Sequence, residues 1–252
     1  MTLHYRLDGP HGAPPLLLCN SLGTPLEMWD SQVAPLTSQF RLARYDPRGH
    51  GRSPVPPGPY SLEDLGRDAL DLLDDLGLER VSLCGLSIGG MVGMWLASEA
   101  PERINRLVLC SAAPRLPPRE QWLERAATVR AEGVSAIADA ALDRWFTPRA
   151  PDSLRESFRT MLVETPAEGY AGCCEALADV DLRDRLAAIE APTLVVTGEG
   201  DPVAPPETGE QLAAAIPDAR HVSIAGARHI SNAEQPSTFT EHVLAHLTEE
   251  TQ

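Results

Sequence analysis

The segment Gly85-Leu86-Ser87-Ile88-Gly89-Gly90 constrains this chain more than any other, because it joins the apolar run Val81-Ser82-Leu83-Cys84 directly to a second apolar stretch, Met91 to Ala97. The short run suits a buried strand and the longer stretch a helix, so the residues between them must reverse the chain sharply in a strand-turn-helix unit. G-x-S-x-G fits such a turn for steric reasons. A serine in a strained backbone conformation needs neighbours without side chains, since a Cβ at 85 or 89 would meet the adjacent strand or helix. Held there, the Ser87 hydroxyl points out of the sheet, and the amide of Ile88 at the start of the helix faces the same space. The pattern alone also arises by chance in glycine-rich chains; its strand-turn-helix context sets this instance apart.

Similar apolar runs recur at Pro15 to Cys19, Arg41 to Tyr45, Leu107 to Cys110, Thr193 to Thr197 and His221 to Ile224. Each reads as a strand buried on both faces. Helical patterns alternate with them. The clearest starts at Ser61, an N-cap with Asp64 at the third position, continues through Leu62, Leu65, Ala69, Leu72, Leu73 and Leu76, and stops at Gly77. This alternation predicts an α/β fold: a mostly parallel sheet with helices on both faces. Residues 114–189 break it with helical pieces, no convincing strand, and prolines at 117, 118, 148, 151 and 166. The reading is a core of 1–113 and 190–252 with an inserted helical cap over the carboxyl edge of the sheet, where open parallel sheets bind ligands. Pro54 to Pro59 is a proline-rich loop.

A serine hydroxyl is a weak nucleophile and needs a histidine base oriented by an acid. Asp201 lies in the turn Gly198-Glu199-Gly200-Asp201-Pro202 after the run ending at Thr197, on the same sheet edge as Ser87. Glu199 competes for that role, and Asp201 has an alternative one as the cap of a following helix. The preceding strand is followed by Ser111, Ala112, Ala113 and Pro114, none of them an acid. Among seven histidines, His229 follows the last strand in the loop Gly226-Ala227-Arg228-His229 and completes the order serine, acid, histidine. His4 and His11 precede every strand of the site, His221 lies within a strand, and His50 belongs to the turn from Asp46 to Ser53 in a structural role. His242 and His246 share a face of the terminal helix and read as a solvent-exposed pair without a third metal ligand. The second oxyanion donor is expected in Asn20-Ser21-Leu22-Gly23-Thr24, with the Leu22 amide as the choice beside Ile88, each donor worth roughly 3 kcal/mol.

The formal net charge of -15, from 36 acidic and 21 basic residues, argues against nucleic acid and anionic membrane surfaces as partners. It does not exclude an anionic small molecule, because a few arginines can reverse the field inside a pocket. MTLHYRLDGPHG is no leader peptide and no run approaches a membrane span, so a soluble, cytoplasmic protein is expected. Five cysteines without CxxC spacing read as reduced, buried thiols, and the adjacent Cys173 and Cys174 would bridge only with strain.

NSLGT (20–24), RYDPRGHGRS (44–53), GPYSLEDLG (58–66), CGLSIGGMVGMWL (84–96), RWFTP (144–148), GYAGCCEAL (169–177) and HISNAEQP (229–236) together resemble 3-oxoadipate enol-lactonase, of the β-ketoadipate branch of aromatic catabolism. RWFT and GYAGCC are the particular segments; the others are common across the α/β-hydrolase fold that the resemblance implies. It also implies catalysis by Ser87, His229 and Asp201 without metal or cofactor, on a small lactone carrying one free carboxylate. A carboxylate in an enclosed site needs a cation, which the insertion offers as Arg144, ranked first, or Arg125, beside Trp145 and Trp122. The alternative is that these arginines lie on the surface and the tryptophans are core. Arg228 departs from the small apolar residue expected before the histidine. Some relatives are fused to a carboxymuconolactone decarboxylase, and the expectation here is the lactonase step alone. Other functions to be weighed are a general carboxylesterase, a carbon-carbon bond hydrolase with the same triad, and a small-molecule receptor of this fold. Dehalogenases and epoxide hydrolases would place an aspartate at 87. A homo-oligomer is left open.

Overall fold

The computed structural model describes residues 1–116 and 118–249; Pro117, one of the prolines counted above, and the terminal Gln252 lie outside these. Seven strands, β1 (Tyr5–Asp8), β2 (Pro15–Cys19), β3 (Arg41–Tyr45), β4 (Val81–Leu86), β5 (Ile104–Cys110), β6 (Thr193–Gly198) and β7 (Ala219–Ile224), form one sheet in the order β1-β3-β2-β4-β5-β6-β7. Only the β1–β3 pair is antiparallel. All six apolar runs lie in strands, several of which extend beyond the apolar residues, but β7, at the edge of the sheet, is not buried on both faces as expected: only Ile224 is buried. β1 is the addition. It is an edge strand with Tyr5 and Leu7 exposed, so no buried face marks it in the sequence.

The helices outside the insertion are α1 (Asp30–Leu36), α2 (Leu62–Asp75) and α3 (Ile88–Glu99), followed late in the chain by Pro206–Ala215, Ser231–Glu234 and Pro236–Leu247. Strand order reverses at β2: the chain moves one way from β2 to β3, then the other way to β4, β5, β6 and β7. Right-handed crossovers therefore place α1 on one face and α2 and α3 on the other. Accordingly α1 packs with the terminal helix, and α2 packs with α3. The start of α2 is fixed by a reciprocal box: Asp64 N donates to Ser61 Oγ at 3.1 Å, and Ser61 N to Asp64 Oδ2 at 2.9 Å. The reversal at β2 separates the loops leaving β2 and β4 and opens a crevice at their carboxyl ends.

Between β5 and β6 come α4 (Arg119–Glu132), α5 (Ala138–Trp145), α6 (Asp152–Val163) and α7 (Ala167–Asp179), with no strand among the described residues. The three late helices are then α8 (Pro206–Ala215), α9 (Ser231–Glu234) and α10 (Pro236–Leu247). Arg130 on α4 pairs with Glu168 at 2.8 Å and Glu175 at 2.5 Å on α7, and Gly58 N also donates to Glu168. Phe158 on α6 packs edge-on against Phe146 and Trp145, with ring centroids 5.1 and 6.3 Å apart. All five cysteines are free and buried. Among the described residues no helix is long and apolar enough to cross a membrane.

The terminal helix corrects one expectation. His246 is not in solvent: it is 1% exposed, in the buried stripe with Phe239, Val243 and Leu247. Its Nε2 lies 3.1 Å from the carbonyls of both Leu107 and Pro192, so that nitrogen carries the hydrogen and is not available to a metal. Burial, followed by the charges of Arg220 and Arg106, brings its pKa from 6.5 down to about 4. The native state thus refuses a proton that the unfolded chain accepts, and the stability His246 provides above pH 6.5 is lost as pH falls to about 4. His246→Gln, whose amide can still donate to these carbonyls, is expected to flatten the fall in thermal stability across that interval. An unchanged pH dependence of the melting temperature would contradict this role.

Candidate active site

Ser87 sits between β4 and α3 at φ 58, ψ -118, a conformation that L side chains rarely adopt. Its amide donates to Cys110 O at 2.8 Å, tying the turn to the end of β5. A Cβ at Gly85 would collide with the Gly89 carbonyl, and one at Gly89 with the carbonyls of Cys19 and Asn20. The turn is therefore pressed against the end of β2, bringing the loop after β2 beside the serine.

Asp201 and His229 come from the ends of β6 and β7, and both are buried. His229 Nδ1 lies 2.9 Å from Asp201 Oδ2, while Asp201 Oδ1 accepts the amides of Val203 at 2.8 Å and Ala204 at 3.2 Å. With Nδ1–H donated to the carboxylate, Nε2 is left as an acceptor. Burial pushes the Asp201 carboxyl up, but the imidazole and the two amides outweigh it and hold the group below its ordinary value. Glu199 is exposed and accepts from Gly226 N at 3.2 Å, so it fastens the start of the histidine loop and does not reach the imidazole. Ser87 and His229 line one cavity but form no hydrogen bond with each other among the described residues. Such contacts are often long in free enzymes and tighten on binding.

In the loop after β2, no acceptor among the described residues takes the Leu22 amide, and the Ile88 amide is in the first turn of α3, where helices have no internal acceptor. Asn20 Nδ2 donates to Tyr45 O at 3.0 Å, Asn20 Oδ1 accepts Trp29 Nε1 at 3.0 Å, and Gly23 N donates to His50 Nε2 at 2.9 Å. His50 thus has a role that its place in a turn did not reveal: it holds the loop that carries the Leu22 amide.

The cavity has a volume of about 200 Å³ and lies between the sheet and the insertion. Ser21, Leu22, Ser87, Pro202, Val203 and His229 form its floor. From the insertion come all four expected residues, Trp122, Arg125, Arg144 and Trp145, together with Tyr170 and others. Sequence reasoning missed Tyr170, although it stands in the distinctive GYAGCC segment. Arg125 lies 4.6 Å above the Trp122 ring, whose Nε1 donates to Leu116 O at 2.9 Å. Neither Arg125 nor Arg144 pairs with a carboxylate among the described residues, whereas most arginines of the chain do. Burial, and then the charge of Arg125, lower the Arg144 guanidinium from its ordinary value. Burial raises the Tyr170 phenol and both arginines oppose that shift, so the two charges converge on one corner of the cavity. Both guanidiniums thus line this cavity without a carboxylate partner among the described residues, in a chain of net charge -15.

Residues 14–236 match the alpha/beta hydrolase fold family. Over 248 residues, 97% of this chain and 92% of the relative, the sequence is 40% identical to 3-oxoadipate enol-lactonase 2 of Acinetobacter baylyi. The crystal structure of the enol-lactonase from Burkholderia xenovorans superposes with a TM-score of 0.94 at 46% identity, covering 98% of this chain and 96% of that one. A thermophilic esterase from Thermogutta terrifontis, solved with malate bound, gives 0.93 at 32% identity, covering 97% and 92%.

Gly89→Ala is expected to destabilise the protein by about 2 kcal/mol or more, because the added methyl has only backbone carbonyls to displace. Denaturant unfolding measures this, and wild-type stability would contradict the close approach of the serine turn to β2.

Proposed function

Because the chain belongs to the α/β-hydrolase family, we propose that it opens a small enol-lactone bearing one free carboxylate, with 3-oxoadipate enol-lactone as substrate and 3-oxoadipate as product. Hydrolysis of ester bonds follows from the family and the enol-lactonase relatives. The observation that carries the narrower reading is the pair of unpaired guanidiniums in the small cavity that also holds Ser87 and His229. Its volume of about 200 Å³ falls below the ~300 Å³ at which pockets for drug-sized ligands begin, which favours a compact lactone over bulky esters or ring-cleavage products. The structure of the related esterase with malate, a small dicarboxylate, bound to it supports the same reading.

In this mechanism the substrate carboxylate pairs with Arg144, assisted by Arg125, and the lactone carbonyl lies over Ser87. His229 Nε2 removes the hydroxyl proton as Ser87 Oγ attacks the carbonyl carbon. The Leu22 and Ile88 amides bind the resulting oxyanion, and Asp201 stabilises the imidazolium. The ring C–O bond then breaks, and the enol oxygen leaves with the proton from His229. The enol relaxes to the ketone, which draws ring opening forward. His229 next activates water against the acyl-serine, releasing the new carboxylate and restoring the Ser87 hydroxyl.

Ser87→Ala is expected to abolish turnover with the fold intact by circular dichroism; wild-type rates would exclude Ser87 as nucleophile, and a wild-type protein that binds lactone without releasing acid would be a receptor. Asp201→Asn is expected to lower kcat by about four orders of magnitude through loss of histidine orientation. Glu199→Gln measured in parallel should be mild, and the reverse ranking would move the acid to 199. Arg144→Ala is expected to raise KM for the carboxylated enol-lactone by about 10- to 100-fold, the worth of a charge-assisted hydrogen bond. The matched control is the neutral enol-lactone with methyl in place of carboxymethyl, and equal effects on both would dismiss the carboxylate clamp.

A further inference from the structure

Arg228, the residue without an expected role, does not face the cavity. Its guanidinium reaches the carboxyl end of α5, donating through Nη1 to Asp143 O and, at 3.3 Å, to Phe146 O. The residue on the other side of the histidine does the same: Ile230 N donates to Trp145 O at 3.2 Å. Glu234 closes the arrangement from α9. Its Oε1 accepts Thr147 N at 2.7 Å and Thr147 Oγ1 at 2.5 Å, and its Oε2 accepts Arg228 N at 2.8 Å. The last carbonyls of a helix lack internal partners and carry its negative end, so a cation there is favourable, and the two hydrogens of one arginine Nη can serve two carbonyls at once. Segment 143–147, which carries Arg144 and Trp145, is thereby bonded along its length to segment 228–234, which carries His229.

We propose that Arg228 and Glu234 are positioning residues that hold Arg144 in register with His229, so that a substrate gripped by its carboxylate presents its carbonyl to the reacting groups. This rests on the assignment of Arg144 as the carboxylate partner. Arg125 is held by a different route, since its helix, α4, is fastened through Arg130 to α7. The strap is the hydrogen-bonded link between the segment carrying Arg144 and the segment carrying His229. Segment 228–234 is itself fixed to the core, because Asn232 Nδ2 donates to Met28 O at 2.9 Å and Gln32 Nε2 donates to Asn232 O at 2.8 Å. Met28 lies just beyond the loop of the Leu22 amide, so the proposed clamp, base and oxyanion donor share one frame.

The experiment measures kcat and KM of the full-length protein for the carboxylated enol-lactone and its neutral methyl analogue, in Arg228→Ala, Thr147→Val, Arg144→Ala and the double variant Arg144→Ala/Arg228→Ala. Arg228→Ala should raise KM for the carboxylated lactone about tenfold while both constants for the neutral one stay within about twofold. Thr147→Val, which removes no charge and is nearly isosteric, should shift KM in the same selective direction by a smaller factor. In the Arg144→Ala background, Arg228→Ala should add nothing. Equal effects on both substrates, no effect on either, or a full additional effect in the double variant would overturn the positioning role, while a selective Arg144→Ala leaves the clamp standing. An unselective Arg144→Ala would remove the clamp and the strap's role with it.

Discussion

A serine at φ 58 is the constraint on which the rest of this structure depends. It exists because Gly85 and Gly89 let three backbone segments approach where no side chain fits, and because Ser87 N is tied to Cys110 O. The same crowding presses the first turn of α3 against the end of β2, where the loop carrying Leu22 begins. The reversal of strand order at β2 places that loop and the serine turn on either side of a crevice, and β6 and β7 bring Asp201 and His229 to its other edge.

Charge in the site is arranged against the charge of the whole. The chain is strongly acidic, yet its candidate site holds two arginines that have no carboxylate partner among the described residues. Arg144 is held at a cost, since burial and Arg125 both disfavour its charged form. In the proposed function, the attraction of the substrate carboxylate offsets both penalties. The Asp201–His229 pair is likewise buried, and the imidazole, followed by the amides of Val203 and Ala204, outweighs that burial and holds the carboxyl below its ordinary value.

Residues with local roles, and those placed by motif order or by the family resemblance, were legible in the sequence, whereas several that act only through tertiary contact were not. The turn around Ser87, the capping box at Ser61 and Asp64, and the alternation of buried runs with helices follow from spacing along a few residues, and the structure shows each of them. β1 escaped because an exposed edge strand has no apolar pattern. His246 misled because an i,i+4 histidine pair resembles a solvated face, while the sheet offers two carbonyls for it that only the folded chain brings near. Motif context already favoured Asp201 over Glu199 in the sequence, and in the fold Asp201 is buried against His229 while Glu199 is exposed. Arg228, Glu234 and Thr147 are ordinary in the sequence and gain meaning only where α5 meets the histidine loop. His50 and Tyr170 are of the same kind.

The account turns on Ser87 being made nucleophilic by the groups assembled around it, and covalent capture tests this most directly. The native protein is treated with a small organophosphate ester, which transfers its phosphoryl group to an activated serine and is not released by water, and its intact mass and peptide map are recorded. The account predicts one phosphoryl group per chain, on Ser87, formed more slowly when Asp201 is replaced by Asn. Labelling at another residue, or none under conditions where the lactone is turned over, would contradict it.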